Sequence, residues 1–383
     1  MSDISLTVVK AKHGDAMLLQ HKQTNILIDG GPPHVYRKFL RKHLKQLKAN
    51  GTGPAEINLM MISHIDSDYI AGILDLTDEL IEAEQESSPP LVKINEAWHN
   101  SFVDTIVTQT GAKISAVREE SLELADIAGS DPMISNQMAD AKVVLSSVPQ
   151  GRRLRNNLGR LKIPLNKGFI ENIVLKENQN KIWKKQGLCL TVIGPGQKQL
   201  DKLRKQWAKQ LPKILAKEQD KEAALAASRS LDTSVFNLAS IVAIAETNNT
   251  RMLFTGDARG DMILDWLFGG SPDKKAHFDL IKLPHHGSDR NVNPEFFSRV
   301  TADHYVMSGN GKHGNPEPET FEMLFSARPK LNYKIYLTYS PDELKNHQEF
   351  DGLAFKKVLN RDPRRQQCLR FPNTEDSSIV LTF

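Results

Sequence analysis

Cysteine is almost missing from these 383 residues: Cys189 and Cys368 stand alone. A pair so far apart, without the close spacing of a zinc ribbon, argues against a disulfide framework. No stretch approaches the run of about 20 apolar residues that a membrane-spanning helix needs. The opening MSDISLTVVK holds no basic segment leading into an apolar one. A cytoplasmic chain with no membrane contact is therefore expected. Repeats and low-complexity tracts are missing too, which excludes solenoids and compositional arrays. What is left is a length sufficient to bury a large core, as one α/β domain carrying an insertion.

Charge is present but unevenly spread. The net charge is +4, yet Gly151 to Lys217 holds 17 Lys and Arg against Glu171, Glu177 and Asp201, a balance of +14 that leaves −10 for the rest. Such a block can supply a footprint for nucleic acid or another polyanion, with Arg152, Arg153 and Arg155 at its start. Solvated helix faces would have the same composition, and a protein partner would fit it as well. From Gln197 the apolar residues Leu200, Leu203, Trp207, Leu211 and Ile214 recur at three- and four-residue steps, which predicts a helix to about Lys217, kinked at Pro212. Lys198, Lys202, Lys205 and Lys209 form a stripe on its other side.

The most informative stretch is Leu59 to Gly72, LMMISHIDSDYIAG. An apolar strand breaks into a turn with His64, Asp66 and Asp68 at every second position, followed by a helix start at Tyr69. That spacing lets three metal-capable side chains converge from one strand end, and imidazole with carboxylates suits zinc or a harder divalent ion. Further strands end in polar loops: ILIDGG at Asp29, MLFTGDA at Asp257, LIKLPHHGS at His285 and His286, and YVMSGNGKHGNP after Tyr305. Strand ends that deliver side chains to one sheet edge are how open α/β proteins build sites. In the glycine-rich loops, Ser288, Ser308, Asn310, Lys312 and Asn315 are candidates to cradle a phosphate, and His313 to protonate a leaving oxygen. An exposed loop is the plain alternative for Lys312 and His313.

These pieces, in this order, resemble the metallo-β-lactamase superfamily. The HGDA start at His13, the His-x-Asp-x-Asp loop and HHGS further resemble the domain of ComEC-type DNA-uptake proteins and their soluble relatives. The resemblance covers roughly residues 4–80 and 187–340. It implies an αββα sandwich over residues 1–383, with a helical and basic insertion at 100–186 and a C-terminal extension at 341–383. It also implies that Asp29 braces the metal loop from behind, that Asp257 bridges two ions, and that Asp68 with His285 or His286 holds the second. One or two ions of zinc, manganese or magnesium are the expected cofactor. Two ions would clamp the attacking and leaving oxygens of a phosphodiester. Two residues depart from the pattern of this branch: Tyr69 stands where the last histidine of the loop belongs and is a poor ligand, and Asn315 stands in a Gly-His-Pro position. Asn237, where many relatives have a third histidine, is part of the resemblance and is expected with Ser240 to hold the loop edge. A weakened two-metal hydrolase, a one-metal hydrolase and a metal-free relic all stay open. The functions expected are a metal-dependent phosphodiesterase or nuclease, a catalytically impaired binding or regulatory subunit, and a hydrolase of a small ester or cyclic nucleotide. Oligomeric state is not legible.

Local patterning further predicts strands over 4–31, a helix from Pro32 to Ala49, a strand at Ile57 to Ile62 and a helix from Ala71 to Glu86. Helices near 101–110 and 114–127 and a polar connection to Gln150 follow, with Gly151 to Lys167 as a loop or short helix. Glu218 to Asp232 reads as a charged connection.

Overall fold

The computed structural model describes residues 4–47, 53–64, 66–101, 139–205, 237 and 239–383. The strands that feed the site are apolar on both sides, and their side chains alternate between two cores. In β3 (Thr24–Ile28), Ile26 and Ile28 face one core and Leu27 the other; in β5 (Leu59–Ile62), Leu59 and Met61 oppose Met60 and Ile62. β11 (Arg251–Phe254) and β12 (Ala276–Lys282) repeat this with Met252, Phe254 and Leu280 against Leu253 and Ile281. Strands buried on both faces read as continuous hydrophobic runs, and these are covered on both sides.

Two sheets result. The first runs β16-β1-β2-β3-β5-β7, with β1 at Ile4–Val9, β2 at Met17–His21, β7 at Ala97–His99 and β16 at Ser378–Thr382. The second runs β15-β14-β13-β12-β11-β10-β9-β8, from Leu369–Arg370 through Lys334–Leu337, Val300–Met307, β12, β11, Val242–Glu246 and Leu188–Gly194 to Trp183–Lys185. A small ribbon pairs β4 (Ala55–Ile57) with β6 (Val92–Ile94). The core between the sheets joins Leu6, Val8, Ile26, Met61 and Trp98 to Leu190, Ala243, Phe254, Leu280 and Val306. Helices cover both outer faces: α1 (Arg41–Lys45), α2 (Ser67–Gln85) and α3 (Ala139–Arg160) on the first sheet, and α4 (Gly260–Phe268), α5 (Pro294–Arg299) and α6 (Pro318–Ala327) on the second. This is the expected αββα arrangement. Among the described residues no helix is long and apolar enough to cross a membrane.

Parallel pairing aligns the strand ends. β3, β5 and β7 are mutually parallel, as are β11, β12 and β13. The loops at Asp29, His64, Asp257, His285 and Ser308 therefore share one edge. The amide of Ile241 donates to the Ser63 carbonyl at 2.8 Å and ties the two sheets together there.

Several elements differ from the local expectation. The first helix starts late: Pro32, Pro33 and a left-handed His34 (φ 73°) delay it to a π turn at Tyr36–Leu40 that runs into α1. The connection before Gln150 and the basic stretch after it are instead one helix, α3. Leu154 and Leu158, four residues apart, bury themselves against α2, while Arg152, Arg153 and Arg160 face outward. Basic character hid an amphipathic helix. Residues 341–383 contribute β15 and β16, one edge strand of each sheet, with Leu6 opposite Leu381. The helices read at 101–110 and 114–127, the connection at 218–232, and Trp207, Lys209, Leu211, Pro212 and Ile214 lie outside the described residues. Of the helix from Gln197, residues 197–205 are helical, with Leu200 and Leu203 buried.

Candidate metal centre

His64 follows directly on β5, and its loop is held from behind. The Ser63 amide and hydroxyl donate to the two carboxylate oxygens of Asp29, at 2.6 and 2.7 Å. Burial, then Asp15, raises the Asp29 pKa against those hydrogen bonds. Close packing depends on glycine: a Cβ on Gly72 would lie 1.9 Å from the Gly30 carbonyl oxygen, so α2 can rest on the Asp29 loop only without side chains there.

Among the described residues, ligand atoms of His64, Asp66 and Asp257 lie within 4.8 Å of one another. His64 Nε2 is 3.2 Å from Asp66 Oδ2 and 3.9 Å from Asp257 Oδ2. On its far side Nδ1 lies 3.2 Å from the Ser240 hydroxyl, which also accepts the Asp257 amide. A proton on Nδ1 leaves the Nε2 lone pair aimed at the carboxylates, as a metal ligand requires. Burial opposes charge on His64, but Asp66, then Asp257 and Asp29, lift its pKa to about 9. Asp257 is buried, yet His285, His64 and His286 hold its pKa below the usual value. Buried His64 Nε2 and Asp66 Oδ1 have no hydrogen-bond partner. Buried ligand atoms of the right type that converge on one point without a well-formed hydrogen bond fit a divalent cation.

His285 stands 3.9 Å from Asp257 Oδ2 through Nε2, with Nδ1 on Asn291 Oδ1 at 2.9 Å; the Asn291 amide in turn donates to the Asp257 carbonyl. Both His285 and His286 have left-handed backbones (φ 46° and 57°), a conformation that costs roughly 1–3 kcal/mol at each non-glycine residue and is kept where a site demands it.

Asp68 and Tyr69 take other places. α2 begins at Ser67, so they lie on its first turn, where neighbouring residues point about 100° apart rather than to one side. Asp68 Oδ1 faces His13 Nε2 at 3.2 Å and is not one of the three converging groups. The Tyr69 hydroxyl makes a very short hydrogen bond to Asp257 Oδ1 and lies 3.0 Å from His286 Nε2. Burial and then Asp257 and Asp15 raise its pKa, so it is a neutral phenol. Behind it, His286 Nδ1 is 3.5 Å from Asp15 Oδ1, and Asp15 Oδ2 is 2.5 Å from Lys282 Nζ.

The phosphate-cradle candidates are distributed around this edge. Ser308 donates to Asp15, Ser288 donates to Glu317 at 2.9 Å, and Asn310 contacts His347 at 3.0 Å. Lys312 Nζ lies 3.5 Å from His13 Nε2, and the His313 ring stands edge-on to His13 at 5.7 Å. Burial, then Lys312 and His13, lowers the His313 pKa. Asn315 is buried, its carbonyl accepting the Gly311 amide at 2.9 Å; Asn237 is buried, its carbonyl accepting the Ser240 amide at 3.2 Å. On α3, Arg153 pairs with Asp78, Arg155 donates to Ser101 at 3.2 Å, and Arg152 is exposed. Gln150 on the same helix reaches Ser67 at 3.3 Å, which puts the start of the basic block beside the metal loop.

Local patterning does not single out Lys282, Asp15 or Asn291. One signal is present: Lys282 is a lone charge inside the apolar run LIKL, where a strand buried on both faces tolerates a charge only with a partner.

Residues 9–129 match the family model described as "Metallo-beta-lactamase superfamily". The match supports the superfamily resemblance and does not select a branch within it. Among curated proteins, microtubule-associated protein 1A of Mus musculus is 30% identical over 73 residues, 19% of this chain; the chain spans about 3% of that protein's length. Among solved structures, the metallo-beta-lactamase fold protein YhfI from Bacillus subtilis is similar over 99% of both chains at 10% identity, with a TM-score of 0.38. The short form of human tRNase Z is similar over 87% of this chain and 91% of that one, at 10% identity and a TM-score of 0.32.

Proposed function

We propose that the protein is a metal-dependent hydrolase whose substrate is a phosphodiester of nucleic acid. The observation that carries the reading is the convergence of His64, Asp66 and Asp257, with buried ligand atoms that make no hydrogen bond, at the mouth of a braced strand-end loop. A divalent ion bound there supplies Lewis-acid activation of water and of a phosphoryl oxygen. The protein's own residues set the geometry. Ser240 and Asn291 orient the His64 and His285 rings, and Asp29 fixes the loop. His13, Lys312 and His313 form a rim beside Asp68 whose Lys312 ammonium and imidazole nitrogens suit an anionic substrate. The proximity of Gln150 to Ser67 brings α3 and its arginines to the same edge, which favours a long polyanion over a small ester.

The test is cleavage by manganese- or zinc-loaded protein of single-stranded DNA, RNA and a small chromogenic phosphodiester. Arg152, Arg153 and Arg155 changed together to Glu should weaken nucleic-acid binding and flatten its salt dependence by about one unit per lost phosphate contact. The small substrate should be spared. A thermal melt controls for loss of the Arg153–Asp78 pair. Turnover of the small substrate alone, with no salt-dependent binding, would point to a small ester or cyclic nucleotide. Tyr69 between Asp257 and His286 favours a second reading, a catalytically impaired binding or regulatory protein, which predicts nucleic-acid binding without turnover.

A further inference from the structure

We infer that this centre takes one ion only, and that Tyr69, locked by His286, Asp15 and Lys282, fills the place of a second. The inference rests on the metal-centre reading above and concerns its stoichiometry. A second ion would need ligand atoms besides those shared by His64 and Asp66. The candidates on this side are Asp257 Oδ1, His286 Nε2 and Asp68; His285 Nε2 lies instead on the Asp257 Oδ2 side, 3.9 Å from that oxygen, as does His64 Nε2. The first two both meet the Tyr69 hydroxyl, one by a very short hydrogen bond and the other at 3.0 Å. Zinc would bind those same atoms at about 2.0–2.2 Å, so ion and phenolic oxygen compete for one position. Asp68, the third, is turned to His13.

The phenol has no room to leave. Tyr69 is 1% exposed. Its ring lies nearly parallel to His286, with centroids 5.6 Å apart and planes at 23°, and meets His64 edge-on at 5.5 Å and 89°. Behind His286 the carboxylate of Asp15 and the ammonium of Lys282, each 1% exposed, extend the chain of contacts away from the centre. Lys282 Nζ also donates to the Leu283 carbonyl at 3.1 Å. The interior on this side thus already contains a resident cation and a neutral hydrogen-bond donor on Asp257. The phenol substitutes for a second ion as the partner of the Asp257 carboxylate, and the Lys282–Asp15 pair fills the space behind it. Packed interiors do not yield such a position without a change of side chain.

The decisive measurement is the metal content of the full-length protein, equilibrated with zinc or manganese and freed of excess ion. One ion per chain is expected. Two would overturn the inference while leaving a metal-dependent hydrolase intact; none would remove the metal-centre reading itself, and this inference with it. Tyr69→His shortens the side chain and presents a nitrogen, and a zinc–nitrogen bond of about 2.1 Å then sets an ion near the position of the phenolic oxygen. That variant should bind two ions, and a count of one would refute the role assigned to Tyr69. If Tyr69→His does not fold, cobalt in the wild-type protein decides: the magnetic signature of an isolated ion is expected, and a spin-coupled pair would overturn the inference.

Discussion

Lys282→Met should be among the most damaging single changes in this chain. Lys282 and Asp15 are each 1% exposed and lie 2.5 Å apart, on β12 and on the turn after β1. Methionine keeps most of the aliphatic stem and its packing, so the loss is mainly that of the charge. Removing one partner of a buried pair leaves the other uncompensated and costs about 3–5 kcal/mol. In the intact protein burial works against the Asp15 charge, but Lys282 and then His286 hold its pKa below the usual value. Stability from a depressed carboxyl is present above its unfolded pKa, near 4, and is lost as pH falls through the folded value. Without Lys282 the burial penalty is opposed only by His286 and the hydrogen bond from Ser308. The deficit of Lys282→Met should therefore be largest near pH 7 and shrink toward pH 4, where Asp15 takes up a proton at less cost. Urea unfolding of Lys282→Met, Asp15→Asn and the double variant measures this, and the double should cost clearly less than the two singles summed. A loss under about 1 kcal/mol at pH 7, well below the range for a broken buried pair, or strict additivity, would refute the coupling.

Gly72→Ala forces a methyl to within 1.9 Å of the Gly30 carbonyl oxygen. Overpacking of about 1–3 kcal/mol or more is expected in a thermal melt, and a variant as stable as wild type would mean that α2 does not rest on this loop. Asp66, then Asp257 and Asp29, lift the His64 pKa to about 9, so an ion that binds there must compete with a proton. Zinc or manganese affinity should fall about tenfold per pH unit below that value, as one proton released per ion requires; a flat profile from pH 6 to 8 would exclude His64 as a ligand. Asp257→Asn should abolish retained metal and any phosphodiesterase turnover with the far-ultraviolet circular dichroism unchanged, and full metal content in that variant would place the ion elsewhere.

Sequence alone determined that the segments feeding the site are strands and where their polar ends fall. Period-two burial and the turn chemistry of ILIDGG, SHIDSD, TGDA and HHGS are local properties, and parallel strands then bring those ends to one edge. For this reason the local pattern suffices to mark His64, Asp66 and Asp257 as candidate ligands. It does not suffice for the helix at Ala139–Arg160, because two buried leucines among five basic residues carry a weak signal until α2 supplies the surface they pack on. Spacing misleads at Asp68 for a related reason: alternation in a loop and the first turn of a helix differ in where a side chain points, and only the docking of α2 on Gly30 chooses between them. The meeting of Tyr69 with Asp257, 188 positions away, and of Lys282 with Asp15 depends on how one sheet is laid over the other. Patterning along a chain specifies faces and ends, whereas which buried charges share a site is a property of the stacked sheets. Tertiary structure thus decided that the phenol of Tyr69 sits on the carboxylate of Asp257.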